Sequence, residues 1–316
     1  MTSHTGKEFL RRNGALVLIY VILVALVAGG SYGSEIFRSP DNIIDVLRQA
    51  TTLGLVAMGQ FLVMLVGGAD MSGGMVARAA GLGAAVIMTI FGVPPILAIA
   101  LAIGFGAFCG LLNGLFVARL NGQPFIVTLG SMGILYGVSL AISSGPTKMV
   151  PFEVMDIYEL TWGPIPVCII AMAVLWAGCW YMLDYTRFGR SLYAIGGSRQ
   201  VARLAGLKVE RTIIIAYILS GILSAAAGIF LLARSGVGNP NMASGLEFQS
   251  IVAAAIGGVS LYGGRGRALG VVGAVLLVTV ISNLFDLYQV SAYYQDLLLG
   301  LIVVVAVASR KPEAGK

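Results

Sequence analysis

The chain has 316 residues, of which 58% are hydrophobic and 11% charged, with a formal net charge of +6 and a mean hydropathy of +0.92. That composition lies outside the range of soluble domains and describes a polytopic, all-α membrane protein. His4, the single histidine, lies in a polar tail, which excludes His-based triads, zinc sites and His-Glu-x-x-His chemistry. No Gly-x-x-x-x-Gly-Lys-Ser/Thr segment occurs, so the chain carries no nucleotide-binding loop of its own.

Cys109, Cys168 and Cys179 fall inside apolar runs at no metal or disulfide spacing and read as small packing residues. The basic residues sit at the ends of apolar runs, where membrane orientation accounts for them without nucleic acid.

In chain order, Lys7, Arg11 and Arg12 precede an apolar run from Ala15 to Ala28, the layout of a signal peptide. The spans that follow favour an uncleaved first membrane helix. At about 20 apolar residues per crossing, ten candidate spans are predicted: 15–30, 43–66, 75–92, 95–118, 125–143, 164–183, 212–233, 247–262, 269–287 and 294–309. An even number places both termini on one side. With that side cytoplasmic, 16 of the 20 Lys and Arg residues, Arg78 among them, fall on the inner face, as the positive-inside rule requires. No boundary or linker divides the chain, so residues 1–316 read as one transmembrane domain.

Polar residues that the membrane must hold are the natural functional candidates. Gly67-Gly68-Ala69-Asp70-Met71-Ser72-Gly73-Gly74 places an acid and a hydroxyl among glycines between two apolar spans. Glycine permits unwound backbone, which survives at membrane depth only where protein or a water-filled cavity satisfies it. Asp70 would bind a hydroxylated solute or fix a broken helix. The alternative is a tight inner turn in which Asp70 or Ser72 caps the next span. Arg78 would pair with Asp70 or snorkel to the inner headgroups.

Asn113, in the interior of the fourth span, needs a hydrogen-bond partner, and Gln123, Thr128, Ser131 and Tyr136 lie nearby in sequence. Gly106, Gly110 and Gly114, and in the seventh span Ser220, Ser224 and Gly228, form small-residue stripes that suit packing within one bundle or a dimer seam. The outer segment from Ser144 to Gly163, with Glu153, Asp156, Glu159 and Trp162, is either a landing surface for an extracytoplasmic partner or a solvated loop.

The segment from Asp184 to Arg211 is the one long charged stretch, with Arg187, Arg190, Arg199, Arg203, Lys208 and Arg211. At roughly 2.5–3.5 kcal/mol per buried charge it belongs in water. Ser198 is placed to cap a short helix from Arg199 to Ala205, Gly206 to stop it, and Gly196 and Gly197 to bend the chain before it. Val201, Leu204 and Ala205 give that helix a small apolar face, and a helix so short is marginal unless it docks on something. Farther on, Asn241, Glu247, Gln249 and Ser250 mark the outer approach to span eight, and Ser282, Asn283, Asp286, Tyr293, Tyr294 and Gln295 surround the last outer turn. From these sets Asp70, Ser72, Asn113, Thr128, Ser131, Glu247, Gln249 and Asn283 form the candidate translocation path.

Four ordered motifs, in a match running from about Asn42 to Arg310, then resemble a known family: the membrane permease subunits of bacterial ATP-binding-cassette importers for ribose, xylose and galactose. The family's Gly-Gly-Ile-Asp-Leu-Ser-Val-Gly is similar to Gly67–Gly74, its Gln-Pro-Phe-Ile-Ala-Thr-Leu-Gly to Gln123–Gly130, its Gly-Arg-x-x-Tyr-Ala-x-Gly-Gly-Asn to Gly189–Ser198, and its Ser-Leu-x-Gly-Gly-x-Gly to Ser260–Gly266. This chain departs in Ala69, Gly73, Arg78 and Ser198.

The resemblance implies a homodimer of ten-helix permeases in the bacterial inner membrane, with a separate cytoplasmic ATPase and a periplasmic sugar-binding protein. It implies ATP and Mg on the partner ATPase and no cofactor in this chain. It also implies that the loop between spans six and seven is a coupling helix, with Gly189, Arg190, Gly196, Gly197, Ser198, Arg199, Arg203 and Gly206 as the coupling residues. The chain itself would be no enzyme. The rivals are a branched-chain amino-acid permease of the same architecture and an ion-driven secondary transporter, which would want several buried carboxylates.

Overall fold

A computed structural model describes residues 3–301, apart from Ala292, Asp296 and Leu299. The chain opens with α1 (Ser3–Gly33) and α2 (Pro40–Leu65). The start of α2 is written locally: the Ser39 hydroxyl accepts from the Asn42 N–H, and Pro40 occupies the first turn, where its missing N–H costs nothing. α3 (Gly73–Thr89) follows, then α4 (Pro95–Ala118) and α5 (Pro124–Ile142), which also begin on proline.

A short helix α6 (Phe152–Glu159) and a two-stranded antiparallel hairpin, β1 (Thr161–Trp162) with β2 (Ile165–Pro166), order the segment before α7 (Val167–Tyr185). The charged stretch forms α8 (Arg187–Gly197) and α9 (Arg199–Leu204). α10 (Val209–Ser235), α11 (Leu246–Ile256) and α12 (Ala268–Leu287) complete the described helices.

Seven of these helices are long and apolar enough to cross a membrane: α2, α4, α5, α7, α10, α12 and the Leu16–Gly33 part of α1. The all-α polytopic reading therefore holds, and the ten predicted spans resolve differently. The run at 75–92 is the 17-residue α3, and the run at 247–262 is the 11-residue α11. At about 1.5 Å of rise per residue, α11 is too short to cross. It stops because Gly257 and Gly258 open a glycine-rich loop that reaches Gly266. The predicted span 294–309 lies mostly outside the described residues.

α10 is the hub, packed against α4, α2 and α3. Its seam with α4 settles the two small-residue stripes as internal packing. A Cβ on Gly106 would overlap the Gly221 carbonyl, one on Gly110 the Tyr217 carbonyl, and one on Gly114 would come within 2.9 Å of the Ile214 Cα. Ser220, Ser224 and Gly228 turn the other side of α10 toward α2 and α3: Ser220 Oγ would lie 3.0 Å from a Cβ on Gly59, and Gly228 meets the backbone of Ala77. Backbones this close let dispersion and weak Cα–H···O contacts hold helices that have no hydrophobic drive to associate in lipid.

The outer segment is ordered by packing. Val154 and Tyr158 of α6 are buried, Tyr158 meets Phe230 of α10 with ring centroids 5.2 Å apart, and the Arg48 guanidinium lies 4.6 Å from the Tyr158 ring centre.

Candidate functional site

After Leu65 the chain unwinds, with Gly67 at φ +77°, and does not resume a helix until Gly73. The unwound backbone is satisfied from four directions. The Asp70 N–H donates to Gln60 Oε1 of α2 at 3.2 Å, and the Met71 N–H to Thr128 Oγ1 of α5 at 3.0 Å. Asp70 Oδ1 accepts from the Ser72 N–H at 2.9 Å and the Ser72 hydroxyl at 2.6 Å, while its Oδ2 accepts from Ser220 of α10 at 2.8 Å. Asn113 Nδ2 of α4 donates to Ser72 Oγ at 2.9 Å, and the Ser131 hydroxyl of α5 donates to Asn113 Oδ1.

Five of the eight predicted path residues, Asp70, Ser72, Asn113, Thr128 and Ser131, thus meet in one buried network. Asp70 is 3% exposed and takes three donors, which is how a carboxylate survives away from water without a cation. Ser72 does not cap α3 with its side chain, since its hydroxyl is held by Asp70; Asp70 instead accepts the Ser72 N–H at the entry to that helix. Gln60 and Ser220 were missed as members. The legible signal for Gln60 was an amide in the middle of an apolar span.

Arg78 neither pairs with Asp70 nor snorkels. It is 3% exposed, donates from Nε to the Met242 carbonyl at 3.1 Å and from Nη2 to Ser244 Oγ at 2.6 Å, and its guanidinium lies 5.3 Å from the Tyr136 ring centre. Because α3 begins inside the body, its first turns are core, and Arg78 leaves the inner-face charge set. Glu247, in the first turn of α11, is also buried, with its carboxylate against the N-terminal turn of α3, where a Cβ on Gly74 would overlap it.

Asn283 lies elsewhere. It exchanges two hydrogen bonds with Asn42, at 3.1 and 2.9 Å, and ties α12 to α2. Gln249 lines a cavity of 230 Å³ between α2, α10, α11 and α12.

The charged segment folds as its caps predict. Ser198 accepts from the Val201 N–H at 3.3 Å, and α9 ends before Gly206 at φ +79°. Val201 and Leu204 are 63% and 82% exposed, an apolar face with nothing on it. Arg203 pairs with Glu210, and Arg190 reaches the Tyr185 carbonyl.

The bend before α9 lies at the extended Ser198, not at Gly196 and Gly197, which still belong to α8. Gly196 serves close approach instead: a Cβ there would overlap the Leu65 carbonyl and the Gly264 N–H. Gly189 does the same at the α7–α8 elbow, against the backbone of Met182 and Leu183.

Three motifs therefore meet at one point. Gly264 N donates to the Leu65 carbonyl at 2.9 Å, and the Gly263 Cα sits on the backbones of Gly67 and Gly196. The Tyr193 hydroxyl donates to the Gly266 carbonyl at 3.0 Å, and burial, helped by the Asp184 charge, pushes its pKa up to about 12. With Thr128 holding Met71, all four motifs touch the unwound loop or its root.

A family model described as the branched-chain amino acid transport system / permease component matches residues 42–307. The chain belongs to that family. It is 35% identical over 297 residues to the ribose import permease protein of Bacillus subtilis (strain 168), covering 92% of this chain and 89% of the relative. It is 32% identical over 291 residues to the D-allose transport system permease protein of Escherichia coli (strain K12), again 92% and 89%, and 32% identical over 312 residues to the fructose import permease protein of Rhizobium meliloti, covering 96% and 86%. No solved structure matches this chain.

Proposed function

We propose that the chain is the membrane permease subunit of an ATP-binding-cassette importer that moves a monosaccharide or similar small polyol across the inner membrane. The observation that carries this is the junction of Gly67, Gly196 and Gly263–Gly264. It ties α8, which leads through Ser198 into the exposed, capped and basic α9, to the unwound segment of the bundle, and the curated relatives named for sugar import support the substrate class. α9 is then the coupling helix, and a cytoplasmic ATPase is its partner, receiving Val201 and Leu204 in a cleft with Arg199 and Arg203 beside them. ATP and Mg reside on that partner.

The permease works as a homodimer of multi-span subunits with both termini cytoplasmic, fed by a periplasmic binding protein. Closure of the ATPase moves α9 and α8 as one piece. The Gly196 contact passes that motion to Leu65 and Gly264 with no side chain to absorb it. The energy comes from the differential binding of ATP, and this chain supplies the transmission.

The test is to tag the chain, extract it in mild detergent and identify what co-purifies. A P-loop ATPase in stoichiometric amount is expected. A chain that emerges alone, and moves solute in vesicles under an ion gradient without ATP, overturns the reading.

A further inference from the structure

Of the residues predicted to line the path, five close on one another around Asp70, while Gln249 lines a cavity. We propose that the cavity it lines, between α2, α10, α11 and α12, is where this chain holds its solute in transit, and that it fits a neutral polyhydroxylated molecule the size of one sugar ring. The inference rests on the importer reading and gives it a place in the chain.

The walls come from residues that helical spacing puts on shared faces. Thr279, Ser282 and Asp286 are three and four apart on α12, and Gln49 and Thr52 are one turn apart on α2. Gln249 of α11 and Gln295 add two more amides, and each amide offers both donors and an acceptor, as a hydroxyl-rich ligand requires.

Much of this capacity is unused by the fold. The side chains of Gln49 and Gln249 make no hydrogen bond among the described residues, and Thr52 Oγ1 is buried without a partner among them. Ser282 and Thr279 donate to carbonyls one turn back, at 3.0 and 2.9 Å, and Ser282 also accepts from Gln295. The Asp70 network is the opposite case: every oxygen of its carboxylate is already engaged. A solute entering there would have to break the loop's own supports.

Size and charge narrow the occupant. At 230 Å³ the cavity exceeds the roughly 150 Å³ that admits a benzene ring and falls short of the about 300–1,000 Å³ of drug-sized sites. The two charges among its described lining residues, Arg234 and Asp286, are of opposite sign and both exposed, so neither waits inside for an ion. Leu53, Leu231 and Leu246 supply small apolar patches for the C–H faces of a ring, and no aromatic side chain is among the described lining residues. Contacts of this kind hold weakly, and a path needs sites a solute can leave.

The test uses Gln249→Cys and, separately, Ser282→Cys in the full chain with its co-purified ATPase in nanodiscs. The native cysteines are buried, and Leu120→Cys, an exposed position between α4 and α5, neither of which lines the cavity, serves as control. The rate of maleimide reaction is measured with D-ribose, D-allose, D-fructose or L-leucine at equal concentration, and sugar uptake by proteoliposomes of the same preparation is measured in parallel.

At least one sugar is expected to slow both cavity cysteines by the factor set by occupancy, about threefold at twice its dissociation constant, and to leave the control unchanged. Sugar uptake driven by ATP with no protection of either cysteine overturns the cavity assignment and spares the importer reading. Protection by leucine alone, with leucine and not sugar taken up, overturns both.

Discussion

The Cα of Gly196 is seated against the carbonyl oxygen of Leu65, the same oxygen that accepts the Gly264 N–H at 2.9 Å. Nothing larger than hydrogen fits between α8 and the root of the unwound loop. Gly196→Ala must part those backbones, and overpacking of this kind costs about 1–3 kcal/mol. Gly197, its neighbour in the same helix, has open space where a Cβ would go. ATP-driven uptake is therefore expected to fall tenfold or more in Gly196→Ala and to stay near the wild-type rate in Gly197→Ala, with the ATPase still co-purifying in both.

Arg203 and Glu210 form an ion pair with side chains 63% and 42% exposed, so it adds less than about 1 kcal/mol to stability. Reversing Arg199 and Arg203 to Glu is thus expected to leave the unfolding midpoint close to wild type while the ATPase recovered with the tagged chain drops at least tenfold. Leu204→Ala tests the apolar half of the same face. It removes a side chain that is 82% exposed here, so it also spares stability and weakens only the partner contact. Unchanged ATPase recovery in all three variants would remove α9 from the interface.

The membrane character, the short capped helix and the unwound backbone before Gly73 were legible because each rests on local chemistry: hydropathy, a Ser cap, a cluster of glycines. What the sequence hid is long-range. Span counting by apolar length credited residues 247–262 with a crossing, because a glycine-rich loop is as apolar as a helix. Arg78 read as an inner-face charge because nothing local announces that α3 starts inside the body, where Met242, Ser244 and Tyr136 receive a guanidinium.

Asn283 finds its partner in Asn42, 241 positions away, a pairing no local pattern announces. The cavity lined by Gln49, Thr52, Gln249 and Thr279 has no contiguous signature. Its members are ordinary polar residues whose helical faces converge only in three dimensions.

Tyr193 gives the junction a pH dependence. Its folded pKa, about 12, lies above the ordinary tyrosine value near 10, so the folded state holds the proton more tightly than the unfolded one. The stability from the Gly266 contact is fully present below about pH 10 and is lost as pH rises through 12. In Tyr193→Phe that alkaline loss is expected to shrink, and at neutral pH the variant should be less stable by about 1 kcal/mol, the net worth of one hydrogen bond. Melting curves of the detergent-purified chain at several alkaline pH values read both effects, and identical slopes for the two proteins would refute the assignment.

Asp70 separates two roles that predict different failures. As a fastener, its carboxylate gathers the Ser72 N–H, the Ser72 hydroxyl and the Ser220 hydroxyl, and Asp70→Asn replaces one accepting oxygen with a donor that faces another donor. Each hydrogen bond to a charged group is worth about 1.5–3 kcal/mol, so the variant should lose about 2–4 kcal/mol and unfold earlier. Ser220→Ala should lose less, since it strips one donor and leaves Oδ2 unpaired.

As a solute contact, Asp70→Asn would instead raise the half-saturating sugar concentration in a chain of ordinary stability. Measuring the unfolding midpoint and the concentration dependence of uptake on the same preparation decides between them. The saturated geometry predicts a lowered midpoint, reduced yield and, in the molecules that remain folded, unchanged sugar dependence, while Gln249→Leu shows the reverse pattern.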